Sequence, residues 1–111
     1  MKIHHNGRKK DCLVVAVEGR MDAVSAPEFE KFLDNLIDEG ALRVVVDFEA
    51  LDYISSAGLR SILITAKKIQ NRNGKILIAS LQDTVEEIFE ISGFSTIIPI
   101  HASVDAAVEN V

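Results

Sequence analysis

Apolar residues along this chain arrive in short blocks, and their spacing switches between two periods. Leu13-Val14-Val15-Ala16-Val17 is continuous and rich in β-branched side chains, which predicts a strand buried on both faces. Met1 to His5 reads as a shorter strand before it, with Asn6-Gly7 and the charged Arg8-Lys9-Lys10-Asp11 as the hairpin turn between them. The period then becomes helical. Phe29, Phe32, Leu33, Leu36 and Ile37 recur at i, i+3, i+4, i+7 and i+8, giving one apolar face. Ser25-Ala26-Pro27-Glu28 ahead of them has the spacing of a capping box, and Gly40 is placed to stop the helix. Leu42 to Phe48 predicts another buried strand. Leu59, Ile62, Leu63, Ala66 and Ile69 mark a second helix, closed by Asn73-Gly74. Ile76 to Ala79 is a further interior strand, followed by a short helix through Val85, Ile88 and Phe89 that Gly93 ends. Thr96 to Ile100 reads as a strand, and Pro99, which has no N–H for a ladder, places it at a sheet edge. Val104, Ala107, Val108 and Val111 give a last amphipathic helix after Ser103.

The predicted order is β-β-α-β-α-β-α-β-α. Strands alternating with helices imply parallel pairing through right-handed crossovers. The expectation is one α/β domain over residues 1–111, a mixed sheet with an N-terminal antiparallel hairpin and about four helices. A length of 111 residues with 48% hydrophobic and 26% charged composition is enough for a core that needs no metal or disulfide staple. Cys12 is the only cysteine, which fits a buried thiol in a cytoplasmic protein. The net charge of −5 argues against a nucleic-acid binder, so Arg8-Lys9-Lys10 reads as a solvated turn. No apolar run approaches the roughly 18 residues that would cross a membrane, and none near the start resembles a secretory leader.

Candidate chemistry is sparse. Neither glycine-rich phosphate loop occurs, so a built-in nucleotide site is not expected. His4 and His5 are adjacent and point to opposite faces of a strand, and His101 is remote, so no metal is assigned. Ile54-Ser55-Ser56-Ala57-Gly58 lacks the first glycine of a hydrolase elbow. Asp47, near the end of a strand, could be the phosphoacceptor of a receiver-like domain, but only Glu18 and Asp22 are available as companion carboxylates after the preceding strand. The segment that stands out is Asp52-Tyr53-Ile54-Ser55-Ser56-Ala57-Gly58-Leu59, where two serines meet a helix N-terminus. One serine suffices as a cap. The other becomes a candidate phosphoacceptor, since a helix start favours added negative charge and Gly58 offers no side chain to block approach. No catalytic residue is assigned.

At these residues the chain resembles the STAS family, in particular the small bacterial anti-sigma factor antagonists. Gly19-Arg20-Met21-Asp22 with Ser25-Ala26-Pro27-Glu28-Phe29 is similar to the family's first turn and helix. Val44-Val45-Val46-Asp47-Phe48 and Leu51-Asp52-Tyr53-Ile54 are similar to its central strand and loop, and Ser55-Ser56-Ala57-Gly58-Leu59 to its phosphorylation loop. The resemblance implies a non-enzymatic partner switch in the cytoplasm. The unmodified antagonist binds an anti-sigma factor that is also a serine kinase, and so releases the sigma factor. Phosphorylation ends binding, and a serine phosphatase resets it. The implied acceptor is Ser56. Ser55, standing where many members carry Asp, is the alternative. Asp22, Ala23, Ser55, Ser56, Gly58 and Arg60 form the implied partner surface, with capping of the first helix as the competing role for Asp22. An adaptor or scaffold of another stress-signalling circuit is the runner-up within the family.

Overall fold

The continuous apolar block forms the centre of strand β2 (Cys12–Met21), in a computed structural model that describes residues 1–111. β2 outruns its apolar block because it has several neighbours. Antiparallel β1 (Lys2–Lys9) lies beside it, parallel β3 (Arg43–Asp47) pairs with Leu13 to Ala16, and parallel β4 (Leu51–Ile54) takes over at Gly19 to Met21. With β5 (Lys75–Ala79) and β6 (Ile100–His101) the sheet runs β1-β2-β3-β5-β6, and β4 pairs off this path with β2. The mixed α/β class, the antiparallel hairpin and four helices are all present.

Alternation along each strand divides the core. Leu13, Val15, Val17, Val44, Val46, Ile76 and Ile78 face α1 (Ala26–Asp38) and α2 (Ser56–Gln70), which contribute Phe29, Leu33, Ile37, Ile62, Ala66 and Ile69 to one cluster. α3 (Asp83–Ile91) closes the same cluster with Val85 and Phe89, and the Phe89 ring meets Phe94 edge-on at 5.3 Å. Cys12, Val45, Leu77 and Ala79 face the other way, under Ala107 and Val108 of the short α4 (Val104–Glu109).

Three local expectations are corrected. The hairpin turn expected across Asn6 to Asp11 narrows to its last two residues, and Asn6 to Lys9 belong to the strand. The chain turns at Lys10-Asp11, whose φ values of 48° and 67° are the left-handed pair a two-residue loop requires. Gly7, at φ 82°, sits instead where the register shifts between His5 and Arg8. The longer hairpin carries Lys9 and Lys10 to Asp105 and Glu109 on α4, contacts that a turn at Asn6-Gly7 would forfeit. Second, β4 is a separate strand where only a loop was expected. It has four residues with buried ends and an exposed middle, too few to show a period. Third, the strand expected at Thr96 to Ile100 shrinks to Ile100–His101, after a 3₁₀ turn at Phe94–Thr96. Ile78 donates to the Pro99 carbonyl at 3.0 Å. One rung earlier the donor would have to be the Pro99 nitrogen, which carries no proton, so the ladder stops there.

Candidate functional site

β2 and β4 end side by side, with Met21 paired to Ile54. The Ser55 amide then donates to the Met21 carbonyl at 2.9 Å, which ties the start of α2 to the end of β2. Ser61, one turn into α2, donates its hydroxyl to the Ala26 carbonyl of α1 at 3.0 Å. The loop after β2 and the loop after β4 therefore share one rim of the sheet, as expected for loops at the carboxyl ends of parallel strands.

The two serines at this junction are not equivalent. Ser55 is the N-cap of α2: its backbone is extended (φ −95°, ψ 173°), and its Oγ accepts from the Gly58 amide at 3.2 Å. Ser56 is the first helical residue, exposed, and its hydroxyl takes no part in the protein's hydrogen bonds. One serine is spent on structure and its neighbour is left free. Gly58 has a role other than the one read from the sequence. It is buried, and a Cβ there would stand 2.8 Å from both Ile54 Cγ1 and the Met21 carbonyl oxygen. Its bareness lets α2 seat on β2 and β4; it does not open Ser56 to the solvent.

Asp22 is partly buried at the start of the loop that leads to α1. Its Oδ1 accepts from the Val24 amide (3.0 Å), the Ser25 amide (3.1 Å) and the Ser25 hydroxyl (3.2 Å). The capping box expected at Ser25 is absent, because Ser25 faces back into this loop: its Oγ accepts from the Asp22 amide at 2.9 Å and makes no cap bond to α1. The Ser25 amide is the largest cause holding the Asp22 carboxyl below its ordinary range. Desolvation opposes it as the next largest effect, and the Val24 amide, the Ser25 hydroxyl and the charge of Arg20 add to the lowering. The sign follows directly. A depressed folded value stabilises the fold above the unfolded value of about 3.9, and that stabilisation is lost as pH falls through the folded one. The Asp22 carboxyl should titrate by NMR with a midpoint below 3.9, and Asp22→Asn should flatten the acid limb of stability against pH; an ordinary midpoint would refute the account.

Three neighbours on this rim escaped the sequence reading. Val24, at the tip of the Asp22 loop, is 89% exposed, the most open large apolar side chain in the protein. Arg20 and Tyr53 are register partners on β2 and β4, and the guanidinium lies 4.1 Å from the ring centroid. Val24 could have been flagged as a lone apolar residue in a polar turn, but the Arg20–Tyr53 stack depends on a register that no local pattern reveals. Ala23 and Arg60 are exposed, and Arg60 follows Ser56 by one helical turn. Asp47 lies away from these residues, at the end of β3, where its Oδ1 accepts from the Glu49 amide at 3.0 Å. No three His, Cys, Asp or Glu side chains are grouped closely enough to share a metal ion. No helix is long and apolar enough to cross a membrane.

A family model, the STAS domain, matches residues 6–107, nearly all of the chain. The chain belongs to the STAS family. It is 41% identical over 95 residues to BtrV of Bordetella bronchiseptica, whose name assigns it to the anti-sigma factor antagonists; the match covers 86% of this chain and 82% of that one. An anti-sigma-B factor antagonist of Staphylococcus aureus is 26% identical over 87 residues, 78% of this chain and 81% of its own. Among solved structures, an anti-sigma factor antagonist from Mycobacterium paratuberculosis superposes with a TM-score of 0.87 at 22% identity, covering 99% of this chain and 94% of that one. The Bacillus cell fate determinant SpoIIAA in its phosphorylated form gives 0.74 at 16%, covering 98% of each chain. At those identities the structural matches speak for the fold.

Proposed function

We propose that the protein is a non-enzymatic anti-sigma factor antagonist of a bacterial partner switch, acting in the cytoplasm. Unphosphorylated, it binds an anti-sigma factor that is also a serine kinase, and the sigma factor is released. Transfer of a phosphoryl group from ATP to the Ser56 hydroxyl ends binding, and a serine phosphatase restores it. The observation that carries this reading is the division of labour at the junction. Ser55 holds the Gly58 amide, so the Ser56 hydroxyl is free and exposed on the rim that also carries the Asp22 loop. The names of the relatives point the same way.

With ATP and magnesium alone the purified protein should take up no phosphate. Adding the cognate kinase should label it, Ser56→Ala should abolish the label, and Ser55→Ala should keep it while losing about 1 kcal/mol of stability with its cap. Label that survives in Ser56→Ala and vanishes in Ser55→Ala would move the acceptor to Ser55. The docking surface we assign to Asp22, Ala23, Ser55, Ser56 and Arg60, with Gly58 beneath it as a spacer. Asp22 is tested separately, because its hydrogen bonds already give it a structural task. If it touches the kinase, Asp22→Ala should weaken binding by more than its lowered melting temperature explains; unchanged affinity would confine it to the loop.

A further inference from the structure

At the end of the sheet opposite Ser56, Arg8, Arg43 and Lys75 line an open notch of about 410 Å³ together with Asp11, Asn73 and the start of β3. α2 spans the two ends: its 15 residues run about 22 Å from Ser56 toward the turn that holds Asn73. Two features of this notch call for an explanation. Arg43 and Lys75 are register partners on adjacent parallel strands, so their side chains leave the same face side by side. Like charges placed opposite one another cost stability. Yet none of the three cations has an ion-pair partner, although this chain carries 17 acidic residues against 12 basic. The contrast with the next two residues of the hairpin is direct, since Lys9 and Lys10 are each paired to a carboxylate of α4.

We infer that this notch is a binding site for a compact oxyanion, the phosphoryl group, free or as a phosphate monoester. Three cations outweigh the Asp11 carboxylate and leave the notch, which Val111 also lines, net positive, as an anion requires. Two guanidiniums offer forked donors to its oxygens, Lys75 a point charge and Asn73 an amide. A bound anion would also relieve the repulsion between Arg43 and Lys75. The site is independent of the Ser56 switch and stands or falls without it.

The test is a titration of the ¹⁵N-labelled protein with sodium phosphate at neutral pH, with ionic strength held constant by sodium chloride. Saturable amide shifts are expected at Arg8, Arg43, Asn73 and Lys75. Arg43→Gln and Lys75→Gln should each weaken binding by roughly tenfold or more. Phosphate should raise the melting temperature of the wild type and not that of the double variant. Without phosphate both variants should be at least as stable as the wild type, so loss of binding cannot be loss of fold. Glycerol 2-phosphate separates the sources: binding as tight as inorganic phosphate identifies a monoester ligand, and no binding identifies the free ion. Shifts that chloride reproduces, that never saturate, or that persist unchanged in both variants would overturn the site.

Discussion

Alanine in place of Gly58 should destabilise the domain by about 1–3 kcal/mol, the usual cost of forcing an extra methyl group into a packed site. The sign is opposite to the ordinary rule. Glycine inside a helix is roughly 1 kcal/mol worse than alanine, so at an open helical position the same change would stabilise. Here the new Cβ would lie 2.8 Å from Ile54 Cγ1, 2.8 Å from the Met21 carbonyl oxygen and 3.2 Å from Met21 Cγ. The Ile54 side chain could turn aside, but the Met21 carbonyl is backbone and already accepts from the Ser55 amide. Relief therefore means lifting the first turn of α2 off β2, which stretches that bond and tilts Ser55 and Ser56 together. At several degrees of melting temperature per kcal/mol for a domain of this size, the loss is easily read by calorimetry. A melting temperature at or above the wild type would show that the α2 start can shift freely, and would remove the packing role assigned to Gly58.

How much of this could be read in the residues differs by element. α1, β2, β3 and β5 announce themselves because long apolar stretches repeat at one period, as in Phe29, Leu33 and Ile37 or in Leu13 to Val17. β4 does not, since four residues with an exposed Asp52-Tyr53 pair carry no period. Its existence depends on β2 running on past Val17. Asn6-Gly7 carries the stronger local turn signal, but tertiary pairing of Lys9 and Lys10 with α4 places the turn at Lys10-Asp11. Pro99 was read correctly as an edge residue, yet its full consequence needed the register: it removes the rung at Ile76 and cuts the strand to two residues. At the site, the strand-to-helix junction and its two serines were legible. Which serine caps was not, because that depends on the extended backbone of Ser55 and on the amide its hydroxyl meets. Ser25 shows the same limit in reverse. Its spacing to Glu28 fits a cap, but Asp22, three residues earlier, competes for its hydroxyl and amide and wins.

Phosphorylation of Ser56 should lower affinity for the anti-sigma partner by orders of magnitude while leaving the fold in place. A phosphoserine brings about −1.5 to −2 charges and three strong acceptor oxygens. On this protein the new group meets a favourable setting. It sits on the first residue of a 15-residue helix, where the dipole and the amides of the first turn favour an anion. Side chains on a helix lean toward its N-terminus, so exposed Arg60, one turn on, can reach back to the phosphate. The existing cap is untouched, because it is Ser55 and not Ser56 that holds the Gly58 amide. In the docked complex the same group must be stripped of water inside a close-packed interface built around a neutral hydroxyl, and any facing carboxylate adds repulsion of several kcal/mol. Each 1.4 kcal/mol is a factor of ten in the dissociation constant. Ser56→Asp should reproduce part of the loss, while Ser56→Ala should hold the partner persistently. Amide spectra of the two forms decide the mechanism. Shifts confined to residues 20–25 and 52–60 support a local switch; shifts through β3 and β5, or a large change in melting temperature, would mean that the phosphate acts by remodelling the domain. The geometry favours the first outcome, because the free hydroxyl can change charge without breaking a single hydrogen bond that holds α2 to the sheet.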